Sequence, residues 1–166
     1  MTLASSLGGD IDGAWWPRGG SVAAELPELV EALQRPLGEI VDIRVNWSIT
    51  ERTPDLSAMT PYAMSIPGWR HGRQRLMLIA GRRACAKLLV VPHLTSSALS
   101  LMVLRRAAAL SIPNEQHAST IFKTADCVLR AARAESACWI HPSPDGAAAE
   151  SQVLPETPRQ EALDDA

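Results

Sequence analysis

The chain has 166 residues, 46% hydrophobic and 20% charged, with a formal net charge of −2. That is the composition of one ordinary globular domain, and it excludes disordered, fibrous and collagen-like classes. No run approaches the roughly 18 apolar residues of a membrane span, and Met1–Gly9 lacks the basic start of a secretory signal.

The sequence therefore predicts a cytoplasmic protein without a membrane partner. Cys85, Cys127 and Cys138 are odd in number and widely spaced, which fits reduced thiols rather than a disulfide frame. Residues 1–9 read as a flexible N-terminus, 10–139 as a single α+β domain, and 140–166 as a disordered acidic tail.

Asp10–Trp16 reads as a first strand, and Pro17-Arg18-Gly19-Gly20 turns the chain. Ser21 is a fitting N-cap for a helix from Val22 to Gln34. Val22, Leu26, Leu29, Val30 and Leu33 make its apolar stripe. Pro27 implies either a kink or a helix that starts there, and Pro36 and Gly38 end it. In Ile40–Ile49, Val41, Ile43, Val45, Trp47 and Ile49 alternate with polar residues, a strand with one buried face.

Thr53–Pro61 reads as a loop and Tyr62–Trp69 as an interrupted strand. Arg73–Ala80 and Ala84–Val91 form a hairpin around Gly81-Arg82-Arg83. A helix follows from Ala98 to about Leu110, then another from Asn114 or Thr120 to near Glu135. Ile121, Phe122, Ala125, Val128, Leu129 and Ala132 share a face of the last helix. The expected architecture is α+β. It has a mostly antiparallel sheet of four to five strands, one helix packed on it after the first strand, and C-terminal helices closing the same core.

The run Asp12-Gly13-Ala14-Trp15-Trp16-Pro17-Arg18, followed by Glu25-Leu26-Pro27-Glu28-Leu29, resembles an actinobacterial family of small uncharacterised proteins. The likeness extends through Trp47 and Leu88–Pro92, over roughly residues 10–110. It implies the same order of elements and no named reaction.

Two surfaces stand out as candidate sites. Asp12, Trp15, Trp16 and Arg18 surround the first turn, where tryptophan could line a small-molecule or enzyme pocket. Backbone N–H groups at Arg18–Ser21 could also hold an anion, although no phosphate-loop motif is present.

The second surface comes from charge segregation. Residues 56–114 carry eight basic groups and no acid, whereas residues 1–55 and 115–166 each carry a net −5. Arg70, Arg73, Arg75, Arg82 and Arg83 lie on or beside the hairpin and could form a basic, open sheet face. Such a face would suit an anionic partner, either an acidic protein or nucleic acid. Internal pairing with the chain's own carboxylates is the competing expectation.

The four histidines are far apart, and Cys138-x-x-His141 is half a metal site, so neither metal nor cofactor is predicted. Asp10 and Asp12, two apart on a strand, could form a carboxylate pair or a solvated strand end. The leading expectation is a non-enzymatic binding or regulatory protein using the basic sheet face. The alternatives are a pocket at Asp12–Arg18, or a structural or oligomeric interaction protein; the apolar helix from Ala98 is expected to be covered by the helix after it or, as the alternative, to form a homodimer interface.

Overall fold

The computed structural model of the chain describes residues 1–47 and 74–140. The loop at 53–61, the strand at 62–69, Arg70, Arg73 and the acidic tail lie outside the described residues. The elements are β1 (Thr2–Leu3), β2 (Gly13–Trp15), α1 (Val22–Leu37), β3 (Ile40–Val45), β4 (Leu76–Gly81), β5 (Cys85–Val90), α2 (Ser97–Ala107) and α3 (Thr120–Ile140). The strands form one sheet in the order β1-β2-β5-β4-β3. Every neighbouring pair is antiparallel except β2 and β5, which run parallel. The α+β class and the mostly antiparallel sheet agree with the sequence reading.

The first nine residues, expected to be flexible, instead contribute an edge strand. Thr2 and Leu3 pair with Ala14 and Gly13, and the Thr2 hydroxyl donates to the Leu104 carbonyl at 2.7 Å. Gly13 permits this closeness, because a Cβ there would fall 2.3 Å from the Thr2 oxygen.

Ser21 caps α1, accepting from the Ala24 N–H at 3.4 Å. The helix continues through both Pro27 and Pro36 and stops at Leu37, rather than at Gln34. Gly38, at φ 79°, supplies the left-handed C-cap and returns its N–H to the Gln34 carbonyl at 2.9 Å. Leu29, Leu33 and Leu37, four residues apart, are the buried row. Complete burial of such a leucine contributes about 1.5–3 kcal/mol.

β3 departs from the expected alternation. Its register with β4 shifts between Ile40 and Asp42, so Val41 is squeezed outward and is 59% exposed. Ile43 and Trp47 remain packed, while Val45 at this sheet edge is 41% exposed. The β4–β5 hairpin forms as the sequence indicates, with the Gly81 N–H donating to the Ala84 carbonyl at 2.9 Å.

One core was expected, and two are present. Trp15, Met77, Ile79, Leu88 and Val90 face α1. Ala14, Leu76 and Leu89, on the other side of the same strands, face α2 and α3. The C-terminal helices thus close the opposite face of the sheet, because β4 and β5 are apolar on both sides. This also removes the expected open face over these central strands.

The Ser119 hydroxyl accepts the Phe122 N–H at 3.1 Å at the start of α3. That helix runs beyond Glu135 to Ile140. Phe122, Ala125, Val128, Leu129 and Ala132 pack inward, whereas Ile121 is 39% exposed. Among the described residues, no helix is long and apolar enough to cross a membrane.

Candidate functional site

β2 and β5 point the same way, and each is followed by a turn and a helix. From β2 the chain enters α1 on one face, and from β5 it enters α2 on the other. Two adjacent parallel strands whose helices leave to opposite faces open a crevice at their carboxyl ends. In open α/β sheets, ligands characteristically bind at such a point.

The two turns meet there. The Trp16 indole N–H donates to the His93 carbonyl at 3.4 Å. A Cβ on Gly20 would stand 3.4 Å from the His93 ring, so glycine lets the turn lie against the imidazole.

α1 packs on β3 and β4, while α2 packs on β1 and β2. On the α1 face this leaves a groove of about 290 Å³ beside β2, lined by Trp15, Trp16, Arg18, Glu25, Glu28 and Leu29. Its polar wall is fixed by internal bonds. Glu25 accepts the Arg18 and Gly19 N–H groups at 2.8 and 2.6 Å. Arg18 in turn pairs with Glu28 at 2.9 Å. The N–H groups that could have held an external anion at Arg18 and Gly19 are therefore taken by the chain's own carboxylate.

Trp15 and Trp16 both pack. Consecutive strand residues point to opposite faces, and here both faces are covered. Trp15 joins the α1 core and Trp16 packs against the α2–α3 core.

Asp12 is not part of the groove. It is 2% exposed, and its carboxylate accepts the Gly8, Gly9 and Lys87 N–H groups, each at 2.8 Å. Asp10 is exposed, so the two do not act as a carboxylate pair. Asp12 is a structural clamp: its own N–H also donates to the Lys87 carbonyl at 2.8 Å.

The described arginines of the hairpin do not assemble on a sheet face. Arg82 pairs with Glu39 at 2.7 Å. Arg83 donates to the Gln34 and Arg35 carbonyls at 3.2 and 2.7 Å, closing the end of α1. The Arg75 guanidinium lies 5.6 Å from the centre of the Trp47 ring. Among the described residues, no group of three His, Cys, Asp or Glu could hold a metal ion.

Sequence reading missed His93 as a site residue because its neighbour Trp16 lies 77 positions away. The only local hint was the His-Leu-Thr-Ser-Ser turn after Pro92. No curated protein matches the chain, and no solved structure matches it. A family model described as a family of unknown function (DUF5994) matches residues 1–107, which include β1 to α2 and both turns of the crevice. The chain belongs to this family of unknown function.

Proposed function

We propose that this is a non-enzymatic binding protein that takes a small organic ligand in the Trp15–Trp16 groove. The observation that carries this reading is the groove at the carboxyl end of β2, where Trp15 and Trp16 meet the Arg18–Glu25–Glu28 wall against α1. Its volume of about 290 Å³ lies at the lower end of ligand pockets, which suits a molecule of one or two rings. Indole surface supplies apolar contact, and the bonded Arg18–Glu25–Glu28 wall supplies orientation.

Binding is favoured over catalysis because both carboxylates in the groove are already engaged. Glu25 serves backbone N–H groups and Glu28 serves Arg18. Neither stands ready as a general base. The basic-surface alternative has less support, since Arg82 and Arg83 are occupied by Glu39 and by the end of α1. A cytoplasmic setting belongs to the same reading, supported by three free thiols.

The test is a ligand-observed NMR screen of one- and two-ring fragments against wild type and Ala32→Trp. Ala32 lines the groove from the exposed side of α1, so a large side chain there fills the groove without entering the core. Fragments that bind wild type should be lost in the variant, with the unfolding midpoint unchanged. Fragment binding that survives Ala32→Trp, or no binding at millimolar concentration, would overturn the proposal.

A further inference from the structure

α3 is buried along one side, through Ala125, Val128, Leu129, Ala132 and Ser136. Lys123, Arg130 and Arg133 fall together on its outer side, because they are spaced by two turns and then one, and all three are exposed. α2 adds Arg106, which pairs with Asp126 across the two helices and stands over the Phe122 ring at 4.9 Å. The exposed Arg105 lies beside it.

These cations are poorly compensated. Asp126 is already shared between Arg106 and Arg130, the latter at 3.5 Å. Glu135, the other acid of α3, is taken by the Asn46 amide at 3.4 Å. Arg105, Lys123 and Arg133 have no ion-pair or hydrogen-bonded partner among the described residues. Arg18, Arg44 and Arg82, by contrast, each hold a carboxylate, at 2.9, 2.6 and 2.7 Å. A helical face with several cations and one carboxylate attracts an anion.

The sequence supplies one directly after α3. Residues 141–166 carry six acids against one base, Arg159, a net −5. The segment begins where α3 ends, about 10 Å along the helix from Arg133 and about 26 Å from Lys123. Fully extended it spans about 85 Å, so it can reach the whole face. The tether keeps it at an effective concentration in the millimolar range. The first turn of α3 contains no acid, so the positive end of the helix dipole adds to the pull of Lys123. Leu101, one turn from Arg105 on α2, is 56% exposed, and Val153-Leu154, between Glu150 and Glu156, offers it an apolar contact.

We propose that the acidic residues 141–166 dock back on the outer face of α2 and α3, over Arg105, Lys123, Arg130 and Arg133. The docked segment is a built-in polyanion that keeps this face from other polyanions. The contact is independent of the ligand groove.

A nitroxide label on Ala162→Cys tests it in the ¹⁵N-labelled full chain. Cys85→Ser and Cys138→Ser leave only the buried Cys127 of the native thiols. In about 10 mM salt, where charges act over about 30 Å, the amides of Lys123, Arg130 and Arg133 should lose most of their signal while those of α1 and β3 keep theirs. In about 1 M salt, where that range falls to about 3 Å, the loss should disappear. Arg105→Gln, Lys123→Gln and Arg133→Gln together break no pair in the structure. They should abolish the loss in low salt and leave the unfolding midpoint unchanged.

Signal loss that is spread evenly, centred on Arg82 and Arg83, or unaltered by the three substitutions would overturn the docking. So would loss in an unlabelled ¹⁵N chain mixed with a nitroxide-labelled ¹⁴N chain, which assigns the face to a second copy. No loss at all, with duplex DNA shifting the same α3 amides, would give the face to nucleic acid instead.

Discussion

Replacing Asp12 with Asn removes one charge and exchanges one acceptor for a donor at a carboxylate that accepts three backbone N–H groups. In the native structure Oδ1 accepts two N–H groups, from Gly8 and Gly9, and Oδ2 accepts a third from Lys87. An asparagine can keep the first two through its carbonyl oxygen, but its NH₂ must then face the Lys87 N–H. Turning the amide over saves the Lys87 bond and loses the other two. Either way at least one charge-assisted bond, about 1.5–3 kcal/mol, is lost and a buried donor is left unpaired, about 1–3 kcal/mol more. The expected destabilisation is about 3–5 kcal/mol, a large share of the ~5–15 kcal/mol that holds a typical domain folded. Urea unfolding followed by tryptophan fluorescence measures it, with Asp10→Asn as the exposed control that should stay within about 0.5 kcal/mol of wild type. A loss below about 1 kcal/mol for Asp12→Asn would refute the clamp, since it would mean that these three bonds are readily replaced by water.

Gly81→Ala should destabilise by several-fold more than an ordinary surface substitution, because its Cβ would lie 2.3 Å from the Leu37 carbonyl oxygen. Denaturant unfolding and the protection of Leu37 and Gly38 amides against exchange would both report it. Arg83→Ala should cost roughly 1 kcal/mol by uncapping the end of α1, whereas Arg82→Ala, an exposed pair with Glu39, should stay within about 0.5 kcal/mol. Equal effects in matched unfolding curves would contradict the distinction. Pro27→Ala restores a donor opposite the Ala23 carbonyl in the exposed interior of α1, and should raise stability by about 1 kcal/mol or more. An unchanged or lower unfolding midpoint would show that Pro27 is already accommodated without loss.

The parts of the fold that depend on neighbours in the chain were legible. Ser21 followed by Val22, Leu26, Leu29 and Leu33 announces α1, and Gly81-Arg82-Arg83 between apolar runs announces the hairpin. What was hidden depends on partners far away. Nothing local marks Thr2 and Leu3 as a strand, since their pairing relies on Gly13 making room and on Leu104 accepting from Thr2. Val41 follows the alternation of β3 but is displaced by a bulge set by pairing with β4. Asp12 looked like a possible acid–base residue because its clamping partner Lys87 is 75 positions distant. Charge counting could not show that Glu39 meets Arg82 or that the α1 carbonyls receive Arg83, because those partners are distant in the chain.

The tryptophan pair carries both the success and the failure of sequence reasoning. Adjacent residues on a strand must face opposite ways, so two consecutive tryptophans demand either an exposed indole or a sheet covered on both sides. Under a single core one indole would lie on the wet face or beneath a loop; the apolar character of both sides of β4 and β5 instead gives each indole its own covered face. Once both faces are covered, the helix after β2 and the helix after β5 can lie on different sides, and the parallel pairing of Gly13–Trp15 with Leu88–Val90 brings their starting points together. The crevice and the two anchored indoles are thus consequences of one arrangement. Trp15 and Trp16 each hold a face of the sheet closed at the place where the chain divides between them, and the groove lies against α1 at the end of β2.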